Sequence, residues 1–108
     1  MDKIDRINYI LGLDLVTTCN SLGAYVHEVE QYVAITFRGR NIMHIRVNRD
    51  DQLLLDVRES NLTEEEKLYF DSHVMKKCQW TMNCRTITDS ALILMQLVVV
   101  VLAKEILN

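Results

Sequence analysis

The sequence predicts a single α+β domain: an N-terminal helix, a three- or four-stranded antiparallel meander, and two C-terminal helices packed on the sheet. Three observations predict it. Apolar residues recur at helical spacing near the N-terminus. They alternate with polar residues between Tyr32 and Arg58, in runs separated by short polar turns. From Ala91 to Ala103 only Gln96 interrupts an apolar run, so the last helix is almost wholly apolar. The 108 residues fit one domain, 1–108, long enough to bury a core without metals or disulfides to hold it. A hydrophobic content of 49% excludes a disordered chain, and an aromatic content of 6% requires an aliphatic core.

Taken in order, Ile4, Ile7, Leu11, Leu15 and Leu22 fall on one helical face. Asp2 and Asp5 suit the first turn, where the helix dipole favours negative charge. The spacing predicts a helix over Asp2 to Leu11, with Gly12 as a break. Thr17, Thr18, Asn20 and Ser21 weaken the pattern over Leu13 to Leu22, which reads as either helix or loop.

The period then becomes two. Val29, Val33, Ile35 and Phe37 share one parity, while Tyr32, Thr36 and Arg38 share the other. Arg38-Gly39-Arg40-Asn41 reads as a turn, and Ile42 to Val47 as the next strand. Asn48 to Asp51 forms a second turn, and Leu53 to Arg58 a further strand. Tyr25 to Glu30 either extends the first strand or adds a fourth. Thr63-Glu64-Glu65-Glu66 is a capping box, which predicts a helix from about Glu64 to about Lys77, with Lys76 and Lys77 at its C-terminal end. Gln79 to Thr86 reads as an irregular connection anchored by Trp80. Thr88 or Asp89 then caps the last element. Its valines suit a strand, but the run is too long for one, and the length decides for a helix.

Charge and cysteine usage bound the function. The net charge is −3, yet Arg38 to Arg49 contains four arginines and no acid, so the remainder carries −7. On the expected polar face of the meander, Arg38, Arg40, His44, Arg46, Arg49 and Arg58 are the candidate contacts for an anionic partner, with Tyr32 beside them. The bland alternative is a solvated face whose arginines pair with Asp50, Asp51, Asp56 and Glu59. Cys19, Cys78 and Cys84 are an odd number, and Met1 to Arg6 carries both charge signs with no apolar stretch behind it. Free thiols packed as small hydrophobes, in the reducing cytoplasm, are the expectation. His73, Cys78 and Cys84 lack metal-ligand spacing, so neither a metal nor a cofactor is expected. No nucleophile elbow or phosphate-binding glycine loop suggests an enzyme, and His27 beside Glu28 sits on a strand whose neighbours point apart.

The apolar run spans about 20 Å as a helix, short of the roughly 30 Å of a bilayer core, so no membrane span is expected. A helix apolar all round needs cover on every side, which points to a second copy, most simply a homodimer. Leu94, Val98 and Val101 are the candidate self-association residues. In outline, small and acidic with a helix before a meander and helices after it, the chain resembles the dimeric chaperones of secretion systems. That resemblance is one of topology alone. The compact, Pro-free character also suits a small bacterial or phage accessory protein. The expected function is a non-catalytic cytoplasmic protein-interaction or regulatory module acting as a homo-oligomer on an unknown protein partner. The alternative is a nucleic-acid-binding regulator using the basic hairpin Arg38 to Arg49.

Overall fold

A computed structural model describes residues 2–72 and 84–107. The element order is α1 (Lys3–Leu11), α2 (Leu15–Ser21), β1 (Tyr25–Glu28), β2 (Val33–Phe37), β3 (Arg40–Val47), β4 (Leu53–Arg58), α3 (Glu64–Ser72), β5 (Cys84–Ile87) and α4 (Ala91–Leu107), with a short 3-10 turn at Glu59–Asn61. The strands form one antiparallel sheet in the order β1-β2-β3-β4-β5.

The α+β class is as expected, but the sheet has five strands rather than three or four. Tyr25–Glu28 is a separate strand, because the chain reverses where the Val29 N–H donates to the Tyr32 carbonyl (2.9 Å). The fifth strand falls at Cys84–Ile87, inside a segment expected to be irregular as far as Thr86. Four residues are too few for alternation to register as a signal, and their pairing with β4 is what makes them a strand. The expected helix end at Lys76 and Lys77, the Trp80 anchor, and the readings of His73 and Cys78 lie outside the described residues.

Local chemistry accounts for the helix boundaries. Gly12 ends α1 at φ +71°, a left-handed conformation that costs glycine little. The Asp14 side chain then caps α2 by accepting from the Thr17 N–H, and the Asn8 side chain accepts from the Leu15 N–H (2.8 Å). The weak segment 13–22 is therefore largely helical. The capping box closes both ways: Glu66 N–H donates to Thr63 Oγ1 (3.2 Å), and Thr63 N–H to Glu66 Oε1 (2.8 Å). Ser90 rather than Thr88 or Asp89 caps α4, accepting from the Ile93 N–H, while the Thr88 hydroxyl donates to the Leu53 carbonyl.

One core fills the space between sheet and helices. Ile7, Leu15 and Cys19 from α1 and α2, with Leu94, Met95, Val98, Val101 and Leu102 from α4, meet Val33, Ile35, Met43, Ile45, Leu55 and Val57 of the sheet. The five α4 side chains contribute about 7–15 kcal/mol of gross burial, enough to hold α4 on the sheet. Lys104 with Glu66, and Asn61 with Glu105, tie its C-terminal end to the start of α3 and to the 3-10 turn. Across the layers, Arg6 joins α1 to the β3–β4 turn through Asp51 Oδ1 (2.8 Å) and the Asn48 carbonyl (2.9 Å).

Cys19 is a free, fully buried thiol, and burial pushes its pKa up to about 11. Cys84 is disulfide-bonded, which corrects the expectation of three free thiols. An odd count leaves at least one cysteine unpaired within the chain and does not say which.

Candidate functional site

The sequence singled out two surfaces, the polar face of the meander and the apolar helix. Strand register decides the first. His27 pairs with Ala34, Ala34 with His44, His44 with Asp56, and Asp56 with Thr86, a row across all five strands. Directly paired residues share a face, so this row lies on the side away from the helical core. It was expected to be solvated. Instead His44, Asp56 and Thr86 are buried, as are Ala34 and Leu54 on the same face.

Burial of Asp56 and Thr86 is tolerable because they and Arg46 satisfy one another. Arg46 donates twice to Asp56, from Nε to Oδ2 (2.7 Å) and from Nη2 to Oδ1 (2.8 Å). The Thr86 hydroxyl donates to Asp56 Oδ1 (2.6 Å). The Arg46 side chain is 10% exposed and that of Asp56 1%. His44, 1% exposed, stacks on Tyr32 with ring centroids 3.8 Å apart and planes 14° from parallel. Burial lowers its pKa to about 4; Asp56 opposes the shift, while Arg46, Arg58 and His27 add to it. At neutral pH His44 is an uncharged, enclosed ring with no surface to offer a substrate or an anion.

These facts divide the six anion-contact candidates. His44 and Arg46 are internal, which corrects their assignment to an exposed face. Period-two spacing reports which residues share a face. It cannot distinguish a solvated polar row from one paired within itself. Arg38, Arg40, Arg49 and Arg58 are exposed. Arg38 and Arg40 flank Gly39 at the β2–β3 turn, and Arg58 reaches the same end of the sheet, where its Nε donates to the Asn41 carbonyl (3.0 Å). Arg49 lies beyond the far end of β3, an eight-residue strand of about 26 Å, beside Asp50 and Asp51. The acid-free run in the sequence is therefore not one basic surface.

The second surface is α4. Leu94, Val98 and Val101, the expected self-association residues, face the sheet and are buried, which corrects their role. A helix apolar on every side gives no phase from which to choose, and the sheet selects the face it covers. The outward stripe is Leu92, 68% exposed, with Val99 at 38% and Val100 at 46%, and with Gln96 exposed between them. Steps of 100° per residue place these four on an arc of about 100°. Leu11 and Leu13, where α1 passes into α2, stand beside this stripe. Together with Ala91 and Met95 they complete an open groove of about 770 Å³. Its lining contains no ionisable side chain.

Sequence reasoning counted Asp56 among the acids that could pair with the arginines, but on a solvated face; it missed the burial of Asp56 and missed Thr86 as the third member of the group. A signal was present: Asp56 interrupts Leu53-Leu54-Leu55 and Val57, and an acid inside so apolar a run tends to be buried and paired. It also missed Leu11 and Leu13 as the second wall of the groove, a contact that only the tertiary fold creates. No group of three or more His, Cys, Asp or Glu is placed to hold a metal among the described residues. Nor is any helix there long and apolar enough to cross a membrane. Comparison of the chain with protein-family models, with curated proteins and with solved structures returns no match.

Proposed function

We propose that this protein is a non-catalytic protein-interaction module that acts as a homo-oligomer, most simply a homodimer, through the outward face of α4. One observation carries the reading. The helix that closes the core also leaves Leu92, Val99 and Val100 in water, next to Leu11 and Leu13, in an uncharged groove. Contiguous exposed apolar surface with no charge in it is a natural seat for another protein surface. A second copy is the economical occupant: both copies present the same uncharged groove, so a two-fold contact through it sets no ionisable side chain of the lining against its like.

The enclosed Arg46–Asp56–Thr86 group supports a non-catalytic reading, since polar residues that might have formed an active site are used to hold strands together. The nucleic-acid alternative rests on Arg38, Arg40 and Arg58 at one end of the sheet. Absence of polyanion binding by the wild type at low ionic strength would remove it. Action in the cytoplasm requires that the fold persist with the Cys84 disulfide reduced. The core described above, built from helices and sheet, provides for this.

The test is light scattering on size-separated protein. Wild type is expected at twice 12.6 kDa. The Leu92→Glu, Val100→Glu double variant is expected at 12.6 kDa, with an unchanged far-UV spectrum. A wild type that elutes as a monomer at high concentration overturns the proposal.

A further inference from the structure

We infer that the two copies meet through an antiparallel pair of α4 helices related by a two-fold axis at Gln96. The inference rests on the homo-oligomer reading and specifies its geometry. Gln96 is central to the outward stripe in both directions. Leu92 lies four residues before it and Val100 four residues after, and four residues rotate a helix by only about 40°. A two-fold axis perpendicular to the helix at Gln96 therefore sets Leu92 of each copy against Val100 of the other. It also sets Gln96 against itself.

Three properties of the stripe fit that arrangement. An amide carries a donor and an acceptor, so two Gln96 side chains can pair reciprocally across the axis, as a two-fold contact requires. This accounts for the single polar residue among the thirteen positions from Ala91 to Ala103. Helix dipoles also distinguish the two directions, because an antiparallel pair sets the N-terminal end of each α4 beside the C-terminal end of the other. Finally, the groove beside α4, walled by Leu11 and Leu13, gives the second helix a seat with apolar contact on two sides.

Single cysteines read the geometry directly. Cys19 is fully buried and Cys84 is already bridged, so the wild type under the same mild oxidant serves as the background control. Gln96→Cys should form a disulfide-linked dimer on a non-reducing gel. Leu92→Cys alone and Val100→Cys alone should remain uncrosslinked. An equilibrated mixture of those two variants should crosslink, because each residue meets the other and not itself. Self-crosslinking of Leu92→Cys as strongly as Gln96→Cys would overturn the antiparallel geometry in favour of a parallel pair. A wild type that is dimeric by mass, with no crosslink at Gln96→Cys, would overturn the inference and leave the homo-oligomer reading intact. A monomeric wild type overturns both.

Discussion

Replacing Arg46 by methionine should be among the most damaging single substitutions in this chain. The Arg46→Met change keeps most of the aliphatic stem and removes the guanidinium. Asp56, with 1% of its side chain exposed, then keeps one neutral donor, the Thr86 hydroxyl, in place of three hydrogen bonds. Breaking a buried pair by removing one partner costs about 3–5 kcal/mol. A domain of this size has a total stability of about 5–15 kcal/mol. With a urea m-value of about 1.5 kcal/mol/M, the unfolding midpoint should fall by about 2–3 M. Converting the whole group to apolar residues, Arg46→Met with Asp56→Leu and Thr86→Val, should recover most of that loss, because no buried polar group is then stranded. The single variant is thus expected to be less stable than the triple one. Urea titration followed by circular dichroism measures both. A midpoint change for Arg46→Met corresponding to less than about 1 kcal/mol, the size expected of an exposed ion pair, would refute the buried-network account.

Further outcomes follow from other parts of the structure. His44 titrates near 6.5 when unfolded and near 4 when folded, so the unfolded chain binds more protons between those values. Stability should be fully present above about pH 6.5 and fall as the pH drops towards 4, by up to about 3 kcal/mol from this residue. His44→Phe, which keeps a ring against Tyr32, should flatten that slope; urea midpoints that fall in parallel for both proteins would contradict it. At the two-residue β2–β3 loop, Arg38 has φ +52° and Gly39 φ +77°. Asn-Gly is the preferred pair for such a turn, so Arg38→Asn should raise stability by about 0.5–1 kcal/mol, and a lowered midpoint would count against the assignment. Thr63→Ala removes the hydroxyl that caps α3 and should cost about 1 kcal/mol, while an unchanged melting temperature would show that the cap contributes nothing.

Much of the fold is legible in the sequence where a signal is local. Gly12 and the Thr63–Glu66 box act through their own backbone neighbourhood, so their residue types suffice to place helix ends, whereas the Asp14 cap of α2 went unread. Alternation places β2, β3 and β4 for the same reason. β5 depends on a partner strand some thirty residues earlier, as Leu55 with Ile87 shows, and nothing local announces it. The candidate sites fail in the same way. Arg46 reads as a surface charge until Asp56 and Thr86 are brought beside it from two other strands. The apolar run marks α4 as a helix with a face in the core, and five of its side chains are buried. Which residues the sheet covers is decided by packing, and it selects Leu94, Val98 and Val101, leaving Leu92, Val99 and Val100 outside. Val98 and Val99 are chemically identical and adjacent, so no property of the residues themselves separates core from surface.

The central claim is that the outward face of α4 joins two copies, and the mass of the unmodified protein in solution tests it most directly. Sedimentation equilibrium across the micromolar range should fit a reversible association towards twice 12.6 kDa, weakening on dilution. A single species of 12.6 kDa that remains soluble and ideal at the highest concentrations would contradict the account, because Leu92, Val99 and Val100 would then be stable in water with no partner to cover them.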